Sequence, residues 1–158
     1  MFNAPVTACD LPLSSALRAR LQSGDFIDCY KVASATPVRA AAETITAFPG
    51  WARLLVAIRK IVTTPLGLIN EAPEGRDIIG IFPVESETET EIVAGFNDKH
   101  LNFRVSVLSE NGLVYLATWV RPHHWGGRIY LGTIMPFHIL ISRNALARVA
   151  ATAGPQAA

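Results

Sequence analysis

Residues 100–107 alternate strictly. His100, Asn102, Arg104 and Ser106 take one side; Leu101, Phe103, Val105 and Val107 take the other. Successive side chains of a strand point to opposite faces, so this run predicts a β-strand with one apolar face. The turn residues "SENG" follow, and then "LVYLATWVRP", Leu113 to Pro122. Together they predict part of an antiparallel meander. The polar side of the strand has two readings. It meets water, or it forms the polar wall of a ligand cavity.

The preceding runs extend the meander. "IIGIFPV" (Ile78 to Val84) is apolar on both faces, "ESETETE" reads as a polar hairpin tip, and "TEIVAGF" (Thr90 to Phe96) reads as a strand. Strands apolar on both faces imply a cover on each side. Upstream, "LPLSSALRARLQS" suggests a short helix and "DFIDCYKV" (Asp25 to Val32) a first strand. Thr36-Pro37 predicts a helix start, with Thr as N-cap and Pro in the first turn, and Phe48-Pro49-Gly50 an end. A second helix is predicted from Trp51, because Trp51, Leu54, Leu55, Ile58, Ile61 and Val62 keep helical spacing up to Pro65 and Gly67. The last element, from about His124 to Val149, is apolar around much of its circumference and predicts a largely buried helix. Pro136 is expected to kink or break it, eased by Gly132 four residues back.

The order is strand, two helices, several antiparallel strands and a long helix, which defines an α+β class. With 158 residues, one domain is expected: an N-terminal extension over 1–24, the domain over 25–151 and a disordered tail over 152–158. Half of the residues are hydrophobic and only 17% are charged, with a net charge of +1. No long basic run exists to track a phosphate backbone, so nucleic acid is not an expected partner. No window offers the roughly 18 apolar residues of a membrane span, and no secretory signal is read at the N-terminus. Two cysteines, Cys9 and Cys29, make no disulfide framework, and a reduced, cytoplasmic setting is the simpler reading.

Four stretches carry a family resemblance: "DFIDCY" (Asp25 to Tyr30), "FPGWARLLVAIRKIV" with "LGL", "NDKHLNFRVSV", and "GGRIYLGTIMPFHILI" (Gly126 to Ile141). In this order they resemble an uncharacterised bacterial family of the helix-grip group, which includes START-like, SRPBCC and birch-pollen-allergen-like proteins. Its members also occur as the C-terminal module of NAD(P)-binding, short-chain-dehydrogenase-like proteins. The resemblance implies an antiparallel sheet curled around a long C-terminal helix, in the order β-α-α-β(4-5)-α, with a cavity between them. The recurrent polar positions it carries over are Asp28, Trp51, Arg59, Asp98, His100, Arg104, Arg128, Tyr130 and His138. Asn102 stands where the family often has an acid. No Gly-rich phosphate loop occurs in this chain, and the resemblance implies no established reaction.

Within that frame the expected ligand-binding residues are His100, Arg104, His138, Tyr130, Arg59, Trp51 and Asp28. Arg104 suits a carboxylate or phosphate, and His100 can exchange a proton near neutral pH. They stand roughly 13 Å apart along the strand, so they would hold two ends of one ligand rather than one atom. His138 is either a hydrogen-bonded core histidine or the polar group of an apolar pocket. Arg59 is either a stem with its head in water or an anion anchor at the rim. No metal and no cofactor are expected: His123 and His124 point apart on an extended segment, and neither cysteine has metal-site spacing. Cys29 reads as packing, and no nucleophile elbow is present.

Three functions follow from these readings. The first is a domain that binds an apolar or amphipathic small molecule between sheet and C-terminal helix. The second is an enzyme of the same fold, a hydrolase, cyclase or isomerase with a pocket histidine as acid/base. The third is an interaction module, a homodimer or an accessory to an NAD(P)-dependent oxidoreductase.

Overall fold

A computed structural model describes residues 4–54, 57, 77–97 and 99–152. Seven strands form one antiparallel sheet: β1 (Thr7–Ala8), β2 (Phe26–Ala33), β3 (Ile78–Ile79), β4 (Phe82–Glu87), β5 (Glu91–Asn97), β6 (Leu101–Glu110) and β7 (Leu113–Pro122). Their order across the sheet is β1-β2-β7-β6-β5-β4-β3. Helix α1 (Val38–Thr46) and helix α2 (Trp125–Thr152) lie on one face, called inner here. The class is therefore α+β, an open antiparallel sheet with a long C-terminal helix.

The β6 alternation resolves in register. Val105 and Val107 join Tyr30, Val32, Ile92, Ala94, Val114 and Leu116 in a core with α1 residues Val38, Ala41, Ala42 and Ile45, and with Ala145, Leu146 and Val149 of α2. The apolar side of β6 thus faces the helices. Its polar side faces the other way, but not into water. Leu11 and Leu17 of the N-terminal segment cover this outer face with Cys29, Val93, Ala117 and Trp119. A 3-10 helix, Ala16–Arg20, carries that cover, capped by Ser15.

One carboxylate holds the cover down. Glu91 is only 6% exposed. Its Oε1 accepts from Ser15 Oγ at 2.7 Å and from Ser106 Oγ at 2.5 Å, and its Oε2 accepts from Ala16 N at 2.9 Å. A buried charge is tolerated where hydrogen bonds replace its water. On the inner face, Arg148 of α2 donates to the carbonyls of Thr44, Ile45 and Ala47, the last turn of α1. These carbonyls have no partner within their own helix, so one guanidinium both caps α1 and ties it to α2.

Several elements differ from the sequence reading. "IIGIFPV" is not one strand: Gly80, at φ +60°, and Ile81 turn the chain between β3 and β4. Only glycine takes that backbone at no steric cost. The "ESETETE" tip is shorter than expected, because β4 runs on to Glu87 through a register shift between Val84 and Ser86. Pro37 is itself the N-cap of α1, while the Thr36 hydroxyl pairs with Ser34 Oγ at 2.7 Å. In the helical turn at 50–54, Ala52 is the buried residue; Trp51 and Leu54 are exposed. The rest of that predicted stripe, and the 153–158 part of the tail, lie outside the described residues.

Helix α2 passes through Pro136 as one helix. Proline removes one hydrogen bond, to the carbonyl of Gly132. Both residues are exposed, so water can serve that carbonyl. Burial of α2 is confined mostly to Ser142, Ala145, Leu146 and Val149 in its second half. In its first half Trp125, Ile129 and Phe137 are exposed, as is Leu140 just beyond, which corrects the expectation of a largely buried helix. Apolar residues all round a helix specify no single buried side; contact with the sheet and α1 selects one. Gly127 allows the start of α2 to touch β6, since a Cβ there would stand 2.6 Å from the His100 carbonyl oxygen.

Replacing Glu91 by Ala leaves three donors facing a dry gap. A loss of about 3 kcal/mol in urea unfolding is expected, with faster proteolytic cleavage between Leu11 and Gly24. A loss below about 1 kcal/mol would show that the carboxylate does not hold the cover.

Candidate functional site

A short polar track crosses the inner face of the sheet beside the apolar core. Asp28 lies on β2, opposite Thr118 of β7 in register, next to the apolar pair Tyr30 and Leu116 on the same face. From α2, His138 reaches down to this track and its Nε2 lies 2.9 Å from Asp28 Oδ2. The two side chains are 19% and 18% exposed. The Phe26 ring stands edge-on to the imidazole, with centroids 6.2 Å apart. The helix brings the pair together because residues 128, 131, 135, 138, 142, 145 and 149 recur at helical spacing along the side of α2 that meets the sheet.

This geometry fixes the ring chemistry. A carboxylate only accepts, so the Nε2–H donates to Asp28 and Nδ1 is the ring nitrogen left to a further partner. Among the described residues Nδ1 has no hydrogen-bond partner, and it is not a sealed atom. The other oxygen of Asp28, Oδ1, is sealed and has no partner either. Such an atom in a native interior calls for an explanation, and a functional site is one. Burial and then the charge of Asp28 push the neighbouring Tyr30 phenol above its usual range. The Arg143 guanidinium lies 5.2 Å from the Tyr30 ring centre.

Beside the pair opens a cleft of about 340 Å³. Gly24, Asp25 and Phe26 at the start of β2, Pro122 at the end of β7, and Arg128, Leu131, Gly132 and Met135 of α2 line it. Phe26 is shared between the cleft and the edge contact with His138. The two charges in the cleft differ. Asp25 is engaged: its carboxylate accepts from Arg121 Nε and Nη2 and from Trp119 Nε1, all at 2.9 Å. The Arg121 hydrogen bond leads in holding its carboxyl down at about 2. Arg128, by contrast, has no side-chain hydrogen bond or ion pair among the described residues. An apolar trough with one uncommitted guanidinium is left.

The other expected residues lie elsewhere. Arg104 is buried on the outer face, where Nε donates to Glu85 Oε2 at 2.7 Å, Nη2 to Asn97 Oδ1 at 3.0 Å and Nη1 to the Phe103 carbonyl. The register shift in β4 falls at Glu85, and such a bulge re-aims a side chain. The Arg104 partner is therefore Glu85. Arg20 pairs with the same Glu85. A second cleft, about 320 Å³, lies there under the 3-10 helix and is lined by Ala16, Ala19, Arg20, Glu85, Ser86 and Val93. His100 immediately precedes β6, with Nδ1 2.7 Å from His124 Nε2. Tyr130 is half-buried on α2, Trp51 is exposed, and Arg59 and Asp98 lie outside the described residues. Of the sequence candidates, the structure thus joins His138 to Asp28 and separates both from Arg104. Thr118 and the cleft role of Arg128 were not singled out by sequence; only cross-strand register and helix phase reveal them. No group of three or more metal-ligating side chains occurs among the described residues.

Fold and site together define an α+β domain with a helix-to-sheet cleft. The model of a family described as protein of unknown function (DUF2867) matches residues 20–145, and the chain belongs to that family. No curated protein and no solved structure matches the chain. Among the described residues no helix is long and apolar enough to cross a membrane.

The Asp25 cluster has a definite pH signature. A carboxyl lowered in the folded state stabilises above its unfolded value of 3.8, and that stability is lost as pH falls through about 2. Asp25→Asn is expected to lose about 1–2 kcal/mol at pH 7, with the deficit shrinking between pH 4 and pH 2. Urea unfolding across that range checks it; a deficit independent of pH would contradict it.

Proposed function

We propose that this chain is a small-molecule-binding domain of the helix-grip, START-like kind, and that its ligand is an amphipathic anion. The observation that carries the reading is the cleft itself: apolar walls from Phe26, Leu131 and Met135 beside a guanidinium with no hydrogen-bond or ion-pair partner among the described residues. Its volume falls at the small end of ordinary ligand sites, roughly 300–1,000 Å³. The apolar body lies along the helix, and Arg128 takes the carboxylate through charge-assisted hydrogen bonds. The order of elements, with a long C-terminal helix over one face of an antiparallel sheet, supports the helix-grip assignment.

Calorimetric titration with decanoate and decanol tests this. Decanoate is expected to bind about ten times more tightly than decanol, and Arg128→Gln to remove the difference. Failure of both to bind the wild-type protein would overturn the reading. Met135→Trp, which fills the trough, is expected to weaken both ligands at least tenfold.

One observation favours a second reading, that of an enzyme of the same fold. A histidine oriented by a carboxylate, with its other nitrogen unengaged among the described residues, is the arrangement of a general base. His138→Gln would then keep decanoate affinity within about threefold yet abolish any turnover of decanoyl esters. Equal turnover by the wild type and the variant would remove this reading.

A further inference from the structure

We propose that Cys9 and Cys29 form a redox-convertible dithiol, closed to an intramolecular disulfide by a small-molecule disulfide of the glutathione class. The pair takes no part in the cleft, and the inference stands apart from the ligand-binding reading. Cys9 follows β1, and its N–H donates to the Cys29 carbonyl at 2.9 Å, so the two residues are cross-strand neighbours. The Cys9 thiol donates to the Cys29 sulfur at 3.5 Å, while the Cys29 thiol is directed at the Tyr30 carbonyl at 3.8 Å. Both side chains belong to the outer cluster under the N-terminal cover. Adjacent antiparallel residues have Cα atoms about 4.5–5.5 Å apart, inside the range a disulfide spans. Closing the bond therefore needs side-chain rotation and a sulfur approach of about 1.5 Å, with little movement of either strand.

The two thiols differ in access. Cys9 is half-buried and Cys29 is buried, and burial pushes the Cys29 thiol well up. Oxidation therefore starts at Cys9. Its thiolate attacks one sulfur of the small disulfide, a mixed disulfide forms, and one small thiolate leaves. That thiolate takes the proton of Cys29. The Cys29 sulfur then attacks the Cys9 sulfur, the S–S bond of the mixed disulfide breaks, and a second small thiolate departs. Two protein thiols are oxidised and one small disulfide is reduced to two thiols. The new bond closes the segment from 9 to 29, which contains the 3-10 helix and its Ser15 and Ala16 contacts to Glu91. Oxidation thus clamps the cover of the outer face, since closing such a loop restricts the unfolded chain.

The test incubates the full chain with oxidised glutathione, blocks remaining thiols with iodoacetamide, and reads intact mass and peptide map. The expected result is the loss of two hydrogens, a crosslinked Cys9–Cys29 peptide, no alkylated thiol, and a melting temperature raised by about 5 °C or more. Dithiothreitol should restore two free thiols and the original melting temperature. Cys29→Ser should stop at a lasting glutathione adduct on Cys9. If the wild type also stops at that adduct, stays unmodified, or crosslinks only between chains, the proposal fails.

Discussion

The buried carboxylate of Glu91 sets the terms for the rest of this protein. A sheet whose central strands are apolar on both sides needs a cover on each, and α1 and α2 lie on one. The N-terminal segment supplies the other, and Glu91 fixes it there by accepting from Ser15, Ala16 and Ser106. The consequence reaches the polar row of β6. Ser106 becomes a donor to that carboxylate, and Arg104 is drawn under the same cover, where Glu85 and Asn97 occupy it. A row that reads as a solvated face or a ligand wall is instead a buried hydrogen-bonded layer.

With the outer face committed to structure, chemistry is left to the inner face. There α1 and the second half of α2 bury the apolar core, tied together by Arg148. The first half of α2 is held less fully, and the cleft opens beneath it. The polar track of Asp28, Thr118 and His138 marks the border between the two regimes. Among the described residues the sealed Asp28 Oδ1 has no hydrogen-bond partner.

Much of this was legible in the residues. Period-two alternation located β6, and the "SENG" turn placed β7 beside it as an antiparallel neighbour. The side of β6 that meets the helices follows from its apolar residues, and His138 stands out as the polar residue between Phe137 and Ile139. What was not legible depends on long-range pairing. The Asp28–His138 contact joins residues 110 apart in sequence, through strand register and helix phase that no local pattern encodes. Arg104 was misleading for the same reason: its partner is placed by a register shift in β4, and the segment that buries it lies some 80 residues upstream. The burial of α2 escaped the pattern because its apolar residues are spread around the whole circumference, leaving the choice of buried side to tertiary contacts.

The central claim is that a ligand occupies the trough under the first half of α2. The chain has two methionines, Met1 and Met135, and Met135 lines the trough. With ¹³C-methyl-labelled methionine, titration with decanoate should shift the Met135 signal in a saturable way and leave Met1 unmoved, with transfer of magnetisation between the Met135 methyl and the decanoate chain. Saturable decanoate binding that leaves the Met135 signal unchanged would place the ligand elsewhere and contradict the account.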